Sequence, residues 1–229
     1  MEKNLAIVLF GPPGSGKGTQ ASLLAHHFGL IHYDTGRFLE KFVHNPANLK
    51  TAKLKAARDA FDRGDLLDSD IVLQIVKNQI RRLHAAGFGL VLSGSPRRPH
   101  EAFGDRHTVG LMALLERLYS RRYIYIVELV IPPAASLNRN QTRLLDPLMD
   151  LPIMGTTGSR LTASPFTGAK LVRRHTIDNP KVIRERLEEY QRETAPLEQA
   201  FKKHGYRLTR INGAPLPYRV FASILKHIK

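Results

Sequence analysis

The stretch that decides the fold is Gly11–Gln20, "GPPGSGKGTQ". It follows a short apolar run, Leu5–Phe10, and opens a segment with helical spacing, Lys17–Phe28, which Gly29 is expected to end. Glycines let the backbone curl so that successive N–H groups point at one phosphate, and the helix N-terminus adds the positive end of its dipole. In the Gly-x-x-x-x-Gly-Lys pattern the lysine reaches the β- and γ-phosphates. The stretch therefore predicts a nucleotide-phosphate loop.

Further apolar runs alternate with helical patterns along the chain, which favours a parallel sheet with helices on both faces. Besides Leu5–Phe10, the predicted strands are Leu30–Tyr33, Leu90–Leu92, Ile124–Ile131 and Tyr206–Ile211. A helix over 69–84 is predicted with Asp68 as its N-cap, and another over 180–204. The predicted fold class is therefore α/β, with a parallel sheet of five strands flanked by helices.

The composition is that of a soluble globular chain with an unusual charge. Of 229 residues, 42% are apolar and 24% charged, with a formal net charge of +15. The charge implies anionic partners, namely phosphates, nucleotides or nucleic acid, or else simply a basic soluble surface. No apolar run has the length of a membrane span, and the absence of cysteine excludes disulfides and thiolate metal sites. We expect a cytoplasmic monomer without membrane association.

One long stretch breaks the alternation of strands and helices. From about Leu145 to Val172 no period is sustained, and the segment includes "LPIMGTTGSRLTASPFTGAK". Loops of this length in compact domains are usually functional or disordered. Its place between two arginine-bearing helical segments predicts a mobile lid over 144–174.

The phosphate loop resembles that of the adenylate kinase family, in which Gly-Thr-Gln follows the lysine. The resemblance continues, in order, over nearly the whole chain, through "YDTGRFLEKF", "DRGDLLDSDIV", "GFGLVLSGSPRRPHEA", "IPPAASLNRNQTR", "NPKVIRERLEEYQRETAPL" and "INGAP". It implies a nucleoside monophosphate kinase that transfers the γ-phosphate of ATP, with Mg²⁺, to a monophosphate, for which we expect AMP. It also implies the P-loop NTPase fold, a three-layer sandwich, in a single kinase domain over 1–229. An acceptor-binding helical subdomain is expected over 35–67.

The resemblance assigns the donor site. The loop residues that it places on the β-phosphate are Gly14, Ser15, Gly16, Lys17, Gly18 and Thr19. Arg139 corresponds to the arginine near the donor base and phosphates, and Gly213 lies in the turn beside the adenine. Arg143 and Arg186 correspond to arginines that converge on the transferred phosphoryl group. Because Arg139 and Arg143 are four residues apart, we expect them to share a helix face. A lid arginine corresponds to Arg173 or Arg174, while His175 occupies the ungapped position.

The resemblance also assigns the acceptor site and the metal. Thr35 corresponds to the threonine beside the acceptor base, and Leu67 to the residue whose backbone carbonyl faces that base. Gly94 lies against the acceptor, and Arg97 holds its phosphate. Thr19 supplies the hydroxyl near Mg²⁺.

Several positions depart from the family pattern on the metal side. Ser93 stands where the family has an aspartate that organises the water shell of the metal. It is therefore assigned to the metal site, where its hydroxyl can bind a water molecule but brings no charge. The nearby sheet position that is often acidic is Val130 here, and the Asp-Asp pair of the lid is reduced to Asp178.

The acceptor side departs as well. Glu40 replaces an arginine for the acceptor phosphate, and Arg37 replaces an acid, so the pair is reversed in sign. Arg37 and Glu40 are three residues apart, which permits either a local ion pair or a phosphate contact moved to Arg37. The glutamine of the family is replaced by Glu101, or by His100 if one residue is deleted.

These departures leave alternatives open. A nucleotide-binding pseudokinase would explain Ser93 and Glu40. A nucleic-acid-associated ATPase would explain the charge of +15, although aromatic residues are only 7% and no nucleic-acid motif is recognised. A small-metabolite kinase shares the phosphate loop but lacks Gly-Thr-Gln and the helix with paired arginines.

Overall fold

The computed structural model describes residues 5–48, 50–63, 67–149, 151–154, 161–173 and 179–228. Its strands are β1 (Ala6–Phe10), β2 (Ile31–Asp34), β3 (Leu90–Ser93), β4 (Ile124–Val130), β5 (Arg143–Asp146), β6 (Leu151–Met154) and β7 (Leu208–Asn212). Its α-helices are α1 (Lys17–Phe28), α2 (Thr35–His44), α3 (Ala52–Arg63), α4 (Ser69–Ala85), α5 (Pro99–Phe103), α6 (Leu111–Tyr119), α7 (Pro133–Thr142), α8 (Pro180–Glu189), α9 (Leu197–Lys203) and α10 (Pro217–Leu225).

Five strands form one parallel sheet in the order β2-β3-β1-β4-β7. This confirms the predicted fold class. Because the strands are parallel, their carboxyl ends share one edge, and the phosphate loop leaves β1 at that edge. In such sheets ligands bind outside the carboxyl ends of the strands. The fold therefore places the phosphate loop where a nucleotide site is expected.

The core consists of two apolar layers, one on each face of the sheet. Side chains alternate along β1, so Ile7 and Leu9 pack with Leu24 of α1 and Ile224 of α10. The side chains that point the other way join a cluster that contains Ala6, Val8, Phe10, Ile80 and Leu115. Every residue of β1 is buried, as expected for a central strand of a parallel sheet covered on both faces. This buried strand positions the start of the phosphate loop.

The prediction of one continuous helix over 180–204 is wrong, because the structure divides this segment into α8 and α9. After α8 the backbone widens into a π-helical turn over 190–194, where the Ala195 N–H donates to the Tyr190 carbonyl at 2.8 Å. Pro196 has no N–H to continue a regular helix, and α9 begins at Leu197. The interruption lets the buried Tyr190 hydroxyl contact Glu128 of β4 at 3.3 Å.

The aperiodic stretch contains a small antiparallel sheet, in which β5 pairs with β6. The Leu145 and Val172 backbones exchange hydrogen bonds of 2.8 and 2.9 Å, which tie the far end of the stretch to β5. The buried Asp146 accepts hydrogen bonds from the backbone N–H groups of Leu148 and Met149 and from the Thr167 hydroxyl. Local hydrogen bonding therefore organises this stretch without helical periodicity. Its role as a lid, like the acceptor subdomain over 35–67, stays a prediction.

Within the described ranges, no helix is both long enough and apolar enough to cross a membrane.

Candidate active site

The phosphate loop is curled and packed against α7. Gly14 and Gly16 have φ angles of +74° and +94°, which favour glycine. A Cβ atom at Gly14 would lie only 2.6 Å from Nδ2 of Asn140. The Ser136 hydroxyl donates to the Pro13 carbonyl at 2.5 Å and so fixes the loop from the same helix. This geometry requires glycine at position 14.

The first turn of α1 leaves backbone donors directed out of the loop. Gly16 caps the helix without a side-chain hydrogen bond, and the first N–H groups of an α-helix have no partner within it. The Ser15 hydroxyl is buried and has no hydrogen-bond partner among the described residues. The loop thus presents unsatisfied donors at a positive helix end, which is an anion-binding arrangement.

Lys17 is held by the loop itself. Its Nζ donates to the carbonyls of Gly11 at 2.7 Å and Pro12 at 2.9 Å. Burial lowers the pKa of Lys17 from 10.5 to about 7. The positive charges of Arg97, Arg186 and Arg143 contribute to this lowering of the pKa, and the Asp34 carboxylate opposes it. The charges of all three predicted arginines therefore act on Lys17 in the phosphate loop.

Arg139 links the phosphate loop to the turn after β7. Its guanidinium donates to the carbonyl of Gly213 at 2.8 Å and to that of Ala214 at 2.6 Å, with a longer contact to Gly14 at 3.4 Å. The predicted donor residues Arg139, Gly14 and Gly213 thus come together. Burial lowers the pKa of Arg139.

The prediction that Arg139 and Arg143 share a helix face is wrong. Helix α7 ends at Thr142, and Arg143 has the extended backbone of a strand residue, with φ −64° and ψ 129°. It begins β5, whose pairing with β6 replaces the last helical turn. Arg143 nevertheless acts on Lys17, because its charge lowers the pKa of that residue.

The predicted acceptor residues converge beyond β3. A Cβ atom built on Gly94 would lie 3.7 Å from Cβ of Thr35 and 3.8 Å from Nη2 of Arg97. The Arg97 Nε also donates to the Gly94 carbonyl at 3.1 Å, which holds the guanidinium beside the glycine. The Thr35 hydroxyl is buried and unsatisfied among the described residues. A polar ligand here would find an unused hydroxyl and a positioned cation.

Glu101 and Leu67 face inward in this structure. Glu101 is buried, accepts from the Arg97 N–H at 2.7 Å, and accepts from the Ser69 hydroxyl at 3.3 Å. It therefore braces the turn that carries Arg97. The side chain of Leu67 lies in the core, and the role of its carbonyl stays a prediction. His100, the alternative to Glu101, lies 3.3 Å from Asp70.

Arg37 and Glu40 both lie on α2. Arg37 is 3.8 Å from the Asp34 carboxylate, and Glu40 is exposed. Arg173 is also exposed. The other positions considered for the lid, Arg174, His175 and Asp178, lie outside the described residues.

Two residues beside Ser93 were not predicted from the sequence. His32 Nε2 lies 2.8 Å from the Ser93 hydroxyl, and its Nδ1 lies 3.1 Å from the Ser22 hydroxyl of α1. Burial lowers the pKa of His32, which favours the neutral ring. Asp34 is the second missed residue, since it pairs in register with Ser93 across β2 and β3. The sequence signals were the alternation of polar and apolar residues in "IHYD" and, for Asp34, its place in the segment "YDTGRFLEKF".

Comparison with known proteins agrees with this fold. The family model described as adenylate kinase matches residues 9–206. The chain belongs to the adenylate kinase family. It is thus a phosphotransferase, as predicted from the resemblance.

Relatives align over almost the full length. An adenylate kinase of Chlamydia pneumoniae is 32% identical over 100% of this chain and 99% of its own. An adenylate kinase of Rhizobium meliloti (strain 1021) is 29% identical over 97% of this chain and 98% of its own. An adenylate kinase of Vanderwaltozyma polyspora is 29% identical over 98% of this chain and 96% of its own.

Proposed function

We propose that this protein transfers the γ-phosphoryl group of ATP to a nucleoside monophosphate, with AMP as the acceptor and Mg²⁺ bound with the nucleotide. The observation that carries the proposal is the convergence of cations on the phosphate loop. Lys17 lies in the loop, and the charges of Arg97, Arg143 and Arg186 all act on it. Four cations crowded together repel each other, so this arrangement fits a site built for polyanions.

The chemistry needs position and charge more than covalent catalysis. Phosphoryl transfer spreads negative charge over the equatorial oxygens of the group in flight, and fixed cations stabilise that charge. In the proposal, Lys17 and the loop N–H groups hold the donor phosphates, and Arg97 holds the acceptor phosphate. Arg143 and Arg186 stabilise the transferred group. The Thr35 hydroxyl, unsatisfied among the described residues, contacts the acceptor.

The available side chains fit Mg²⁺. The hydroxyls of Thr19 and Ser93 and the carboxylate of Asp34 are oxygen donors, which this cation prefers, and Mg²⁺ keeps several waters that such groups can orient. Bound with ATP, Mg²⁺ neutralises phosphate charge. Thr19 lies in the first turn of α1, and Ser93 pairs in register with Leu9 of β1, just before the phosphate loop.

The test is phosphoryl transfer from MgATP to AMP, GMP, CMP, UMP and their deoxy forms, with ADP formation followed in controls without acceptor. Transfer to AMP above the other acceptors supports the proposal, and transfer to a different monophosphate corrects the acceptor. ATP binding without transfer to any acceptor would contradict the proposal and favour a pseudokinase. Hydrolysis stimulated by nucleic acid, with a steep salt dependence, would instead favour the nucleic-acid-associated ATPase.

A further inference from the structure

Ser93 lacks the charge that the family pattern places at its position, yet a carboxylate stands next to it in the sheet. Asp34 of β2 and Ser93 of β3 are register partners, and Ser93 is in turn the partner of Leu9 of β1. All three residues lie at the carboxyl edge, where β1 runs into the phosphate loop. In an in-register parallel sheet, equivalent positions on neighbouring strands are only about 4.8 Å apart. A carboxylate moved by one strand stays close to the same ligand.

We propose that Asp34 supplies the carboxylate that orients the water shell of the nucleotide-bound Mg²⁺, in place of an aspartate at position 93. The inference rests on the proposed function, because it concerns the metal of that reaction. It makes Asp34 a positioning residue that acts through water.

The orientation of Asp34 is fixed by the start of α2. Its Oδ1 accepts from the Arg37 N–H at 3.2 Å, which makes Asp34 the N-cap of that helix. The second oxygen, Oδ2, lies 3.8 Å from Arg37 Nε. A carboxylate offers about four acceptor positions, so the cap leaves room for water molecules. Asp34 is also the anion whose charge acts on Lys17, which relates it electrostatically to the phosphate loop.

A chain of hydrogen bonds aligns α1 with the same edge. Ser22 of α1 contacts His32, and His32 contacts Ser93. Thr19 lies three residues before Ser22 and therefore on the same face of α1. The face of α1 that carries the predicted metal hydroxyl is thus held toward β2 and β3. In this proposal Thr19, Ser93 and Asp34 supply the oxygen atoms that face the metal and its water shell.

The competing explanation is that Asp34 serves only as a helix cap. Serine separates the two roles, because Ser is as good an N-cap as Asp but carries no charge. Asp34→Ser therefore keeps the cap and removes the carboxylate, together with its 3.8 Å ion pair to Arg37. Ser93→Asp, added to Asp34→Ser, returns a carboxylate on the neighbouring strand.

Asp68 offers a matched control for the helix cap. It caps α4 by accepting from the N–H groups of Asp70 and Ile71, so Asp68→Ser makes the same chemical change at another cap.

The experiment measures binding of a non-hydrolysable ATP analogue by calorimetry, with excess Mg²⁺ and with a chelator. The readout is the factor by which Mg²⁺ strengthens binding, measured for the wild type, Asp34→Ser, Asp34→Ser/Ser93→Asp and Asp68→Ser. Loss of an outer-shell partner typically costs 10–100-fold in metal affinity. We expect Asp34→Ser to reduce the Mg²⁺ factor by about 10-fold, the double variant to restore it, and Asp68→Ser to match the wild type.

Each outcome separates the inference from the function beneath it. A wild-type Mg²⁺ factor that persists in Asp34→Ser would overturn the inference and leave the proposed function intact. Loss in Asp34→Ser without recovery in the double variant would also overturn it, because the charge would then not be transferable. A wild-type protein whose analogue binding ignores Mg²⁺ would overturn the inference, while the transfer assay with MgATP tests the proposed function separately. Melting temperatures check that Asp34→Ser remains folded.

Discussion

The phosphate loop lies beside the β2–β3 edge, which consists of the carboxyl ends of β2 and β3 with Asp34 and Ser93. The two regions differ in how closely their sequences follow the family pattern. The loop retains every glycine and the lysine of its sequence pattern, and contacts from α7 fix its backbone. At the β2–β3 edge, Ser93 replaces an acid and Asp34 stands on the neighbouring strand. On α2, just beyond it, the signs of Arg37 and Glu40 are reversed relative to the family pattern.

The difference reflects what each region needs. The N–H groups of the phosphate loop point at one phosphate only in one backbone conformation. Helix α7 packs against the loop in that conformation, and a side chain at Gly14 would collide with Asn140. A charge that acts through water needs only to lie within reach, and two register partners offer it nearly the same place. Backbone geometry therefore restricts sequence change more tightly than the position of a charge does.

The largest expected effect separates the two regions. Lys17→Met should lower kcat by at least about 10²–10³-fold, because it removes a fixed cation from the transferred phosphoryl group. The same change should leave the melting temperature of the free protein unchanged or raise it, since the lysine is a desolvated cation among three others. Lys181→Met, at a lysine side chain that is 82% exposed, is the control. Normal transfer by Lys17→Met would refute the donor-site assignment.

At the acceptor side the expected effect is smaller and of another kind. Arg97→Lys should raise KM for the monophosphate about 10-fold or more while leaving ATP affinity unchanged, because lysine cannot form the paired hydrogen bonds of a guanidinium with phosphate. Steady-state kinetics with each substrate varied in turn measures the split. Equal weakening of both substrates would show that Arg97 does not belong to the acceptor side.

A third change tests the claim that backbone geometry limits the loop. Gly14→Ala should cost about 1–2 kcal/mol from left-handed strain alone, with a further cost from the collision with α7. Gly18→Ala is the stability control, because a Cβ there meets no atom within 4 Å and alanine favours helix. Urea unfolding compares the two. Equal stability of both variants would remove the basis for the comparison.

How much was predictable from sequence follows the same division. The five strands, α1 with its end at Gly29, and α4 with its cap at Asp68 follow from apolar runs and capping residues, which are local signals. The antiparallel strands β5 and β6 have no alternating pattern, because buried polar contacts around Asp146 organise them. The π-helical turn before Pro196 also escaped prediction.

The site divides in a similar way. Lys17 and Arg139 fall at motif positions, and the structure brings them to the loop. The inward-facing Glu101 and the contact of His32 with Ser93 could not be read from sequence, because both depend on which side chains meet across separate elements. Asp34 was overlooked because its significance comes from strand register.

The smallest expected effect is the uptake of a proton by Lys17 of the phosphate loop when MgATP binds. The pKa of Lys17 in the free protein, about 7, lies below its usual 10.5, so between these values the folded protein holds fewer protons than the unfolded one. Stability of the free protein should therefore rise with pH across this window on account of Lys17.

Bound phosphates favour the charged ammonium of Lys17 and raise its pKa again. Binding of MgATP at pH 8 should thus take up most of one proton, and binding at pH 6 almost none. Calorimetry in two buffers of different ionisation enthalpy measures the uptake, and an uptake that does not differ between the two pH values would mean that Lys17 is already charged in the empty loop.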